Sequence, residues 1–190
     1  MRRVLFITHP EVQIDPHRPV PRWHLSPRGI ERMRSFAGSP EVHDIRMIWS
    51  SQETKAIEAA GILAASLGLG ISVDPRFNEI DRSATGYLPA AEHEELADAF
   101  FANPAESVRG WERAVDVQER GLAAFNAVLA SEAAGDIAIV AHGGIGTLLF
   151  CGLSGLPIGR SQDQPFQGHS WSFSIEDGAI RHSWRPIAER

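Results

Sequence analysis

The chain has 190 residues and a mass of 20.8 kDa, which predicts one domain over 1–190 with a core that buries roughly 70% of the unfolded surface. Hydrophobic residues make up 43% and charged residues 22%, a balance that excludes disordered and fibrous classes. Lys and Arg number 18 against 24 Asp and Glu, and the formal net charge of −6 argues against nucleic acid and anionic membranes as partners.

Val4-Leu5-Phe6-Ile7 is apolar throughout, the pattern of a strand buried on both faces. Thr8-His9-Pro10 ends the run too early for a signal-peptide core, and no apolar stretch reaches membrane-spanning length. Cys151 is the single cysteine, which fits a reducing compartment, so a cytoplasmic location is expected. Residues 9–25 are rich in Pro and His without periodicity and read as a long loop. Ser26-Pro27 then has the form of an N-cap and first helical position, opening a helix to about Phe36.

A second strand is expected over Ile45–Trp49. Ser50-Ser51 is expected to cap the next helix, whose apolar stripe is Ala56, Ala60, Leu63 and Leu67 and which Gly68 and Gly70 end. Ile71–Val73 reads as a short strand. Residues 82–107 form a polar insert expected to cover a pocket, with a helix near Glu92–Phe101. The longest helix is placed from about Gly110 to Ala133. Ile137–Ala141 is a second strand apolar on both faces, and Gly143-Gly144 opens a helix to about Cys151. Trp171–Glu176 and Ala179–Trp184 alternate around Asp177-Gly178, a hairpin signal. Strands alternating with helices predict an α/β three-layer sandwich around a mainly parallel sheet, with an antiparallel hairpin at the C-terminal end.

In such sheets ligands bind beyond the carboxyl ends of the strands. His9 and His142 stand at those ends of the two most apolar strands. Were the strands neighbours, both imidazoles would enter one crevice. Gly143-Gly144 would turn the backbone there and offer amide N–H groups to an anion. A neutral imidazole is also a nucleophile toward phosphorus.

These residues resemble the histidine phosphatase superfamily, the phosphoglycerate-mutase-like proteins. The resemblance runs through Thr8-His9-Pro10, Leu25-Ser26-Pro27-Arg28-Gly29, Trp49-Ser50-Ser51 with Lys55-Ala56, Phe77-Asn78-Glu79-Ile80-Asp81 and His142-Gly143-Gly144. It covers nearly the whole chain, and the last motif is the most specific. It implies that His9 is the nucleophile, that His142 holds the transferring oxygens, and that Glu79 is the general acid and then the base. Asp81 competes with Glu79 for that role. Thr8, Lys55 and Gly143 are the implied phosphate-binding positions. Where the family has Arg-His-Gly this chain has Thr8 and Pro10, and Lys55 replaces an arginine, so both guanidinium groups are absent. Arg18, Arg22 and His24, in the loop after His9, are the candidates to compensate.

No cofactor and no metal is expected. His93-Glu94-Glu95-Leu96-Ala97 lacks the second histidine of a zincin helix, and no spacing compels His9, Asp15 and His17 to bind a metal. Gly143-Gly144-Ile145-Gly146 lacks the dinucleotide-binding order, and Gly152-Leu153-Ser154-Gly155 is not a nucleophile elbow. The resemblance implies a metal-independent phosphatase acting on a small phosphomonoester through a phosphohistidine. The alternative is a degenerate member that binds a phosphorylated ligand or partner without turnover.

Overall fold

A six-stranded sheet with the order β3-β2-β4-β1-β5-β6 runs through the computed structural model, which describes residues 2–131 and 134–189. Its strands are β1 (Arg3–Thr8), β2 (Ile45–Ser50), β3 (Ser72–Val73), β4 (Asp136–Ala141), β5 (His169–Ser174) and β6 (Ala179–Pro186). β3, β2, β4 and β1 are parallel, and β5 and β6 add an antiparallel edge beside β1. The expected mixed sheet is therefore present.

The two runs that are apolar on both faces became the two central strands. Alternate residues of β1 and β4 point to opposite faces. Val4, Phe6, Ile137 and Ile139 pack with α4 (Ala114–Leu129) and α5 (Gly143–Ser154) through Val117, Phe125, Ile145 and Leu149. Leu5, Ile7, Ala138 and Val140 pack with α1 (Pro27–Ala37) and α2 (Thr54–Leu67) through Met33, Phe36, Ala60 and Leu63. Trp171 lies flat on Phe6, ring centroids 4.8 Å apart, and closes the first of these cores.

α1 begins as its sequence dictates: Ser26 Oγ accepts from Gly29 N at 3.0 Å and Pro27 follows as the first helical residue. The loop from 9 to 25 folds back on itself through a Val12–Leu25 bridge and a single 3-10 turn at Val20–Arg22. Arg32, 1% exposed, fastens it: the guanidinium donates to both oxygens of Glu11 at 2.9 Å and to the carbonyls of Gln167, Gly168 and Ala188. α3 (Ala90–Ala102) lies inside the insert, as the sequence predicts.

The openings of α4 and α2 differ from expectation. α4 starts at Ala114, not Gly110, because Arg109 and Gly110 hold φ of 49° and 81° in the left-handed region and turn the chain first. Its expected end at Ala133 lies outside the described residues. α2 is preceded by Glu53 at the N-cap rather than by Ser50-Ser51, since Ser50 still belongs to β2. Among the described residues no helix is long and apolar enough to cross a membrane.

Candidate active site

Parallel pairing of β1 with β4 sets Thr8 beside Ala141, and the next amide continues the ladder, His9 N to Ala141 O at 3.0 Å. The following residue on each strand is a histidine at the carboxyl end of the sheet. The His9 and His142 ring centroids are 5.2 Å apart, nearly edge to face. His9 Nδ1 lies 2.8 Å from the carbonyl oxygen of Pro10. A carbonyl only accepts, so Nδ1 carries the proton and the lone pair sits on Nε2. Burial holds the His9 pKa well below its usual value, and His142 and Lys55 act the same way. His9 is thus a neutral imidazole with its nucleophilic nitrogen free.

His142 is fully buried, and its Nε2 is 2.7 Å from Ser51 Oγ. β2 is the other neighbour of β4, which is why Ser51 arrives there. Ser51 Oγ also accepts from Glu53 N at 3.3 Å. His142 Nδ1 is a buried ring nitrogen with no partner among the described residues. Burial again lowers the pKa, aided by Lys55, Arg82 and Arg120.

Glu79 reaches the start of α5. Its oxygens accept from Gly144 N and Ile145 N at 3.0 Å each, amides with no carbonyl of their own helix to meet. A Cβ on Gly144 would stand 2.6 Å from Glu79 Oε1, so only glycine admits the carboxylate. Burial pushes the Glu79 pKa up against the opposing pull of Arg82 and the Gly144 amide. Asp81, the competing acid, is exposed and turned onto Ser83 N, which lowers its pKa.

Thr8 does not line the site cavity and reaches it only through Gln164. Thr8 is fully buried, accepts from His169 N at 2.9 Å and donates to Gln164 Oε1 at 2.7 Å. Gln164 Nε2 then lies over Gly143, 2.3 Å from where a Cβ would be. Sequence reasoning missed Gln164, because no local pattern marks a residue 156 positions from its partner. It also missed Glu53. That carboxylate is 5% exposed, pairs with Lys55 Nζ, accepts from Glu79 N at 2.8 Å and comes within 3.6 Å of His142 Nε2. Lys55 further donates to Val20 O at 3.0 Å, so its charge is already neutralised.

His9, Lys55, Glu79, His142 and Gly143 line one cavity of about 290 Å³, together with Gln164 and Arg82. His93, Ala97 and Phe101, from the insert, form part of its wall. Arg18, Arg22 and His24 do not line it: Arg18 pairs with Asp15, His24 with Glu58, and Arg22 borders a separate outer pocket. A larger cavity of about 870 Å³ adjoins the first and shares Val20, Glu79, Ile80, Arg82 and Trp111 with it.

No curated protein matches the chain. Solved structures do. A mycobacterial hydrolase superposes with a TM-score of 0.79 at 22% identity, covering 100% of this chain and 92% of its own. A mycobacterial glucosyl-3-phosphoglycerate phosphatase in complex with inorganic phosphate gives a TM-score of 0.75 at 24% identity, covering 97% and 95%. Bacillus stearothermophilus YhfR gives 0.80 at 19% identity, covering 96% and 95%. These likenesses establish the fold. The profile of the histidine phosphatase superfamily (branch 1) matches residues 10–179, beginning one residue after His9. With nine-tenths of its length matched, the chain belongs to the histidine phosphatase superfamily.

Proposed function

We propose that this protein is a phosphatase that hydrolyses a small phosphomonoester through a phosphohistidine on His9. The observation that carries the reading is the hydrogen bond from His9 Nδ1 to Pro10 O, which leaves the lone pair on Nε2 of a ring whose centroid lies 5.2 Å from that of His142. His9 Nε2 attacks phosphorus, and the bond from phosphorus to the leaving oxygen breaks. Glu79, whose pKa burial raises, gives a proton to that oxygen and the alcohol departs. Glu79 as carboxylate then takes a proton from water, whose oxygen attacks phosphorus. The P–N bond breaks, its electron pair returns to Nε2, and phosphate leaves. His142 Nδ1 and Gln164 Nε2 donate to the equatorial oxygens during both steps. Phosphatases among the structural neighbours support the same reading.

The test is hydrolysis of an aryl phosphate with a chelator present, with acid-quenched and alkali-quenched samples assayed for a base-stable phosphoryl adduct. Turnover and adduct should both vanish in His9→Ala. Turnover that survives His9→Ala, or that the chelator abolishes, overturns the proposal.

One observation favours a second reading. Glu53 neutralises Lys55 and Thr8 brings no charge, so neither position where the family has arginine offers an unpaired cation. A degenerate member would bind phosphate esters without releasing phosphate.

A further inference from the structure

Gln164 lines the cavity that holds His9 and His142, and a chain of side chains fixes it there. Its Oε1 accepts from the buried Thr8 hydroxyl at 2.7 Å, which leaves Nε2 as a donor with no partner among the described residues. Its backbone N–H donates to Asp163 Oδ1 at 2.8 Å. The same carboxylate oxygen is 2.9 Å from the hydroxyl of Thr147, which is fully buried in α5 one turn after Gly143. That hydroxyl has one hydrogen and a second acceptor, Gly143 O, also at 2.9 Å; the charged oxygen is the stronger acceptor. Asp163 thereby joins Gln164 to the helix start over which its amide stands.

The other oxygen of Asp163 faces Arg160 Nε at 3.2 Å. Arg160 opens a single 3-10 turn, Arg160–Gln162, which the Trp184 indole also holds by donating to Gln162 O at 2.8 Å. The terminal nitrogens of Arg160 reach away from Asp163 to α3: one donates to Asp98 Oδ1 at 2.8 Å and the other pairs with Glu94. Glu94 and Asp98 are one turn apart on α3, and their side chains are 60% and 71% exposed, so the core does not hold them. Exposed ion pairs of this kind add little stability. The cluster sets three carboxylates around one cation, so its field repels a phosphoryl group instead of binding one. What it supplies to the pocket is position. The chain runs unbroken from the insert to the nucleophile's strand: Glu94 and Asp98, Arg160, Asp163, Gln164, Thr8.

We propose that Arg160 and Asp163 are positioning residues that hold Gln164 against the phosphoryl group, and that they tie the oxyanion affinity of the pocket to the seating of the insert helix α3. A neutral amide gains less from an anion than a guanidinium does, so its contribution depends on being held in place. This inference rests on the phosphatase reading above, which supplies the pocket in which Gln164 acts.

The probe is orthovanadate, with its Kd measured by calorimetry, which needs no turnover. Gln164→Ala should weaken binding by about tenfold to a hundredfold, the loss of a hydrogen bond to a charged group. Arg160→Ala and Asp163→Ala should each weaken it by about threefold or more. Asp163→Asn, which keeps an acceptor for the Gln164 amide, should recover part of that loss. The exposed double variant Glu94→Gln/Asp98→Asn, which alters no buried group, should weaken binding in the same direction. In a Gln164→Ala background all of these further losses should vanish, because nothing is left to position. Losses that persist there overturn the inference, since Arg160 or Asp163 would then act on the anion directly or on the fold at large. Tighter binding by Glu94→Gln/Asp98→Asn also overturns it, because a released Arg160 would itself be a ligand of the anion. An unchanged Kd in Arg160→Ala overturns it too, as does a wild type that does not bind orthovanadate. Hydrolysis that persists in His9→Ala instead overturns the phosphatase reading and leaves the binding ratios intact, so the two failures are distinct.

Discussion

At the scale of single residues, burial shifts two groups in the directions the chemistry needs. His9 must be unprotonated to attack, and its pKa is lowered. Glu79 must be protonated to donate, and its pKa is raised. The rate should therefore rise as pH falls through the Glu79 value, and fail only when His9 takes a proton well below the usual histidine range. An acid-leaning bell in kcat/KM is expected, and a flat profile from about pH 5 to 9 would contradict both roles. Glu79→Gln should remove the alkaline limb. It should cost about 10²–10⁴ with an alkyl phosphate and much less with a nitrophenyl phosphate, whose leaving oxygen needs little protonation. Thr8 invites the opposite experiment, restoring the family arginine. Thr8 is fully buried against Gln164 and the amide of His169, so Thr8→Arg should lower the melting temperature and leave turnover no higher. A gain in turnover would show that Gln164 does not occupy the arginine's place.

At the scale of elements, the start of α5 is where the side chains of Gln164, Glu79 and Ile80 approach the backbone more closely than any Cβ permits. Gly144→Ala would meet Glu79 Oε1 and Ile80 Cδ1, each at 2.6 Å, and displace the acid. Its kcat should fall at least about tenfold, with a stability loss of about 1–3 kcal/mol. Gly61 in α2 is the control, with nothing within 4 Å of an added Cβ. Gly61→Ala should stabilise the protein by about 0.5–1 kcal/mol and leave activity unchanged, as measured by denaturant midpoint and rate. Arg32 ties α1 to the loop carrying Glu11 and to the stretch around Gly168. Arg32→Met should cost about 3–5 kcal/mol, since Glu11 and three carbonyls lose their donor together. Proteolysis should then cut first within the loop from 9 to 25, and unchanged resistance there would remove the staple from the account.

At the scale of the whole molecule, a core that holds two neutral histidines makes stability depend on pH. Below about 6.5 the unfolded chain takes up protons that buried His9 and His142 do not. Stability should therefore fall as pH falls from about 7.5 to 5.5, by up to about 1.4 kcal/mol per pH unit for each group. Glu79 acts with the opposite sign. Its raised pKa contributes stability that is fully present below its unfolded value and lost as pH rises through the folded one. Urea midpoints of the wild type and His142→Gln should converge toward acid, because the variant lacks one of these protonation sites. Parallel pH dependences would contradict a buried neutral His142.

Much of this was legible in the chain itself. The two runs apolar on both faces, Val4–Ile7 and Ile137–Ala141, are periodicity signals, and periodicity is enforced by burial on two sides of a sheet. The Ser26-Pro27 cap and the close of α2 at Gly68 are local chemistry, written in a few adjacent residues. His9 and His142 could be picked out because each ends such a strand. The sequence could not say that these strands are neighbours. Strand pairing joins residues more than a hundred positions apart, and it depends on how the helices cover both faces. The same pairing decided that Glu53 neutralises Lys55, that Thr8 presents Gln164, and that Arg82 rather than Arg18, Arg22 or His24 borders the cavity. Local chemistry determined the elements and nominated the two histidines. Only the tertiary structure decided which charges meet beside them, because electrostatic partners are chosen by distance in space and not by distance along the chain.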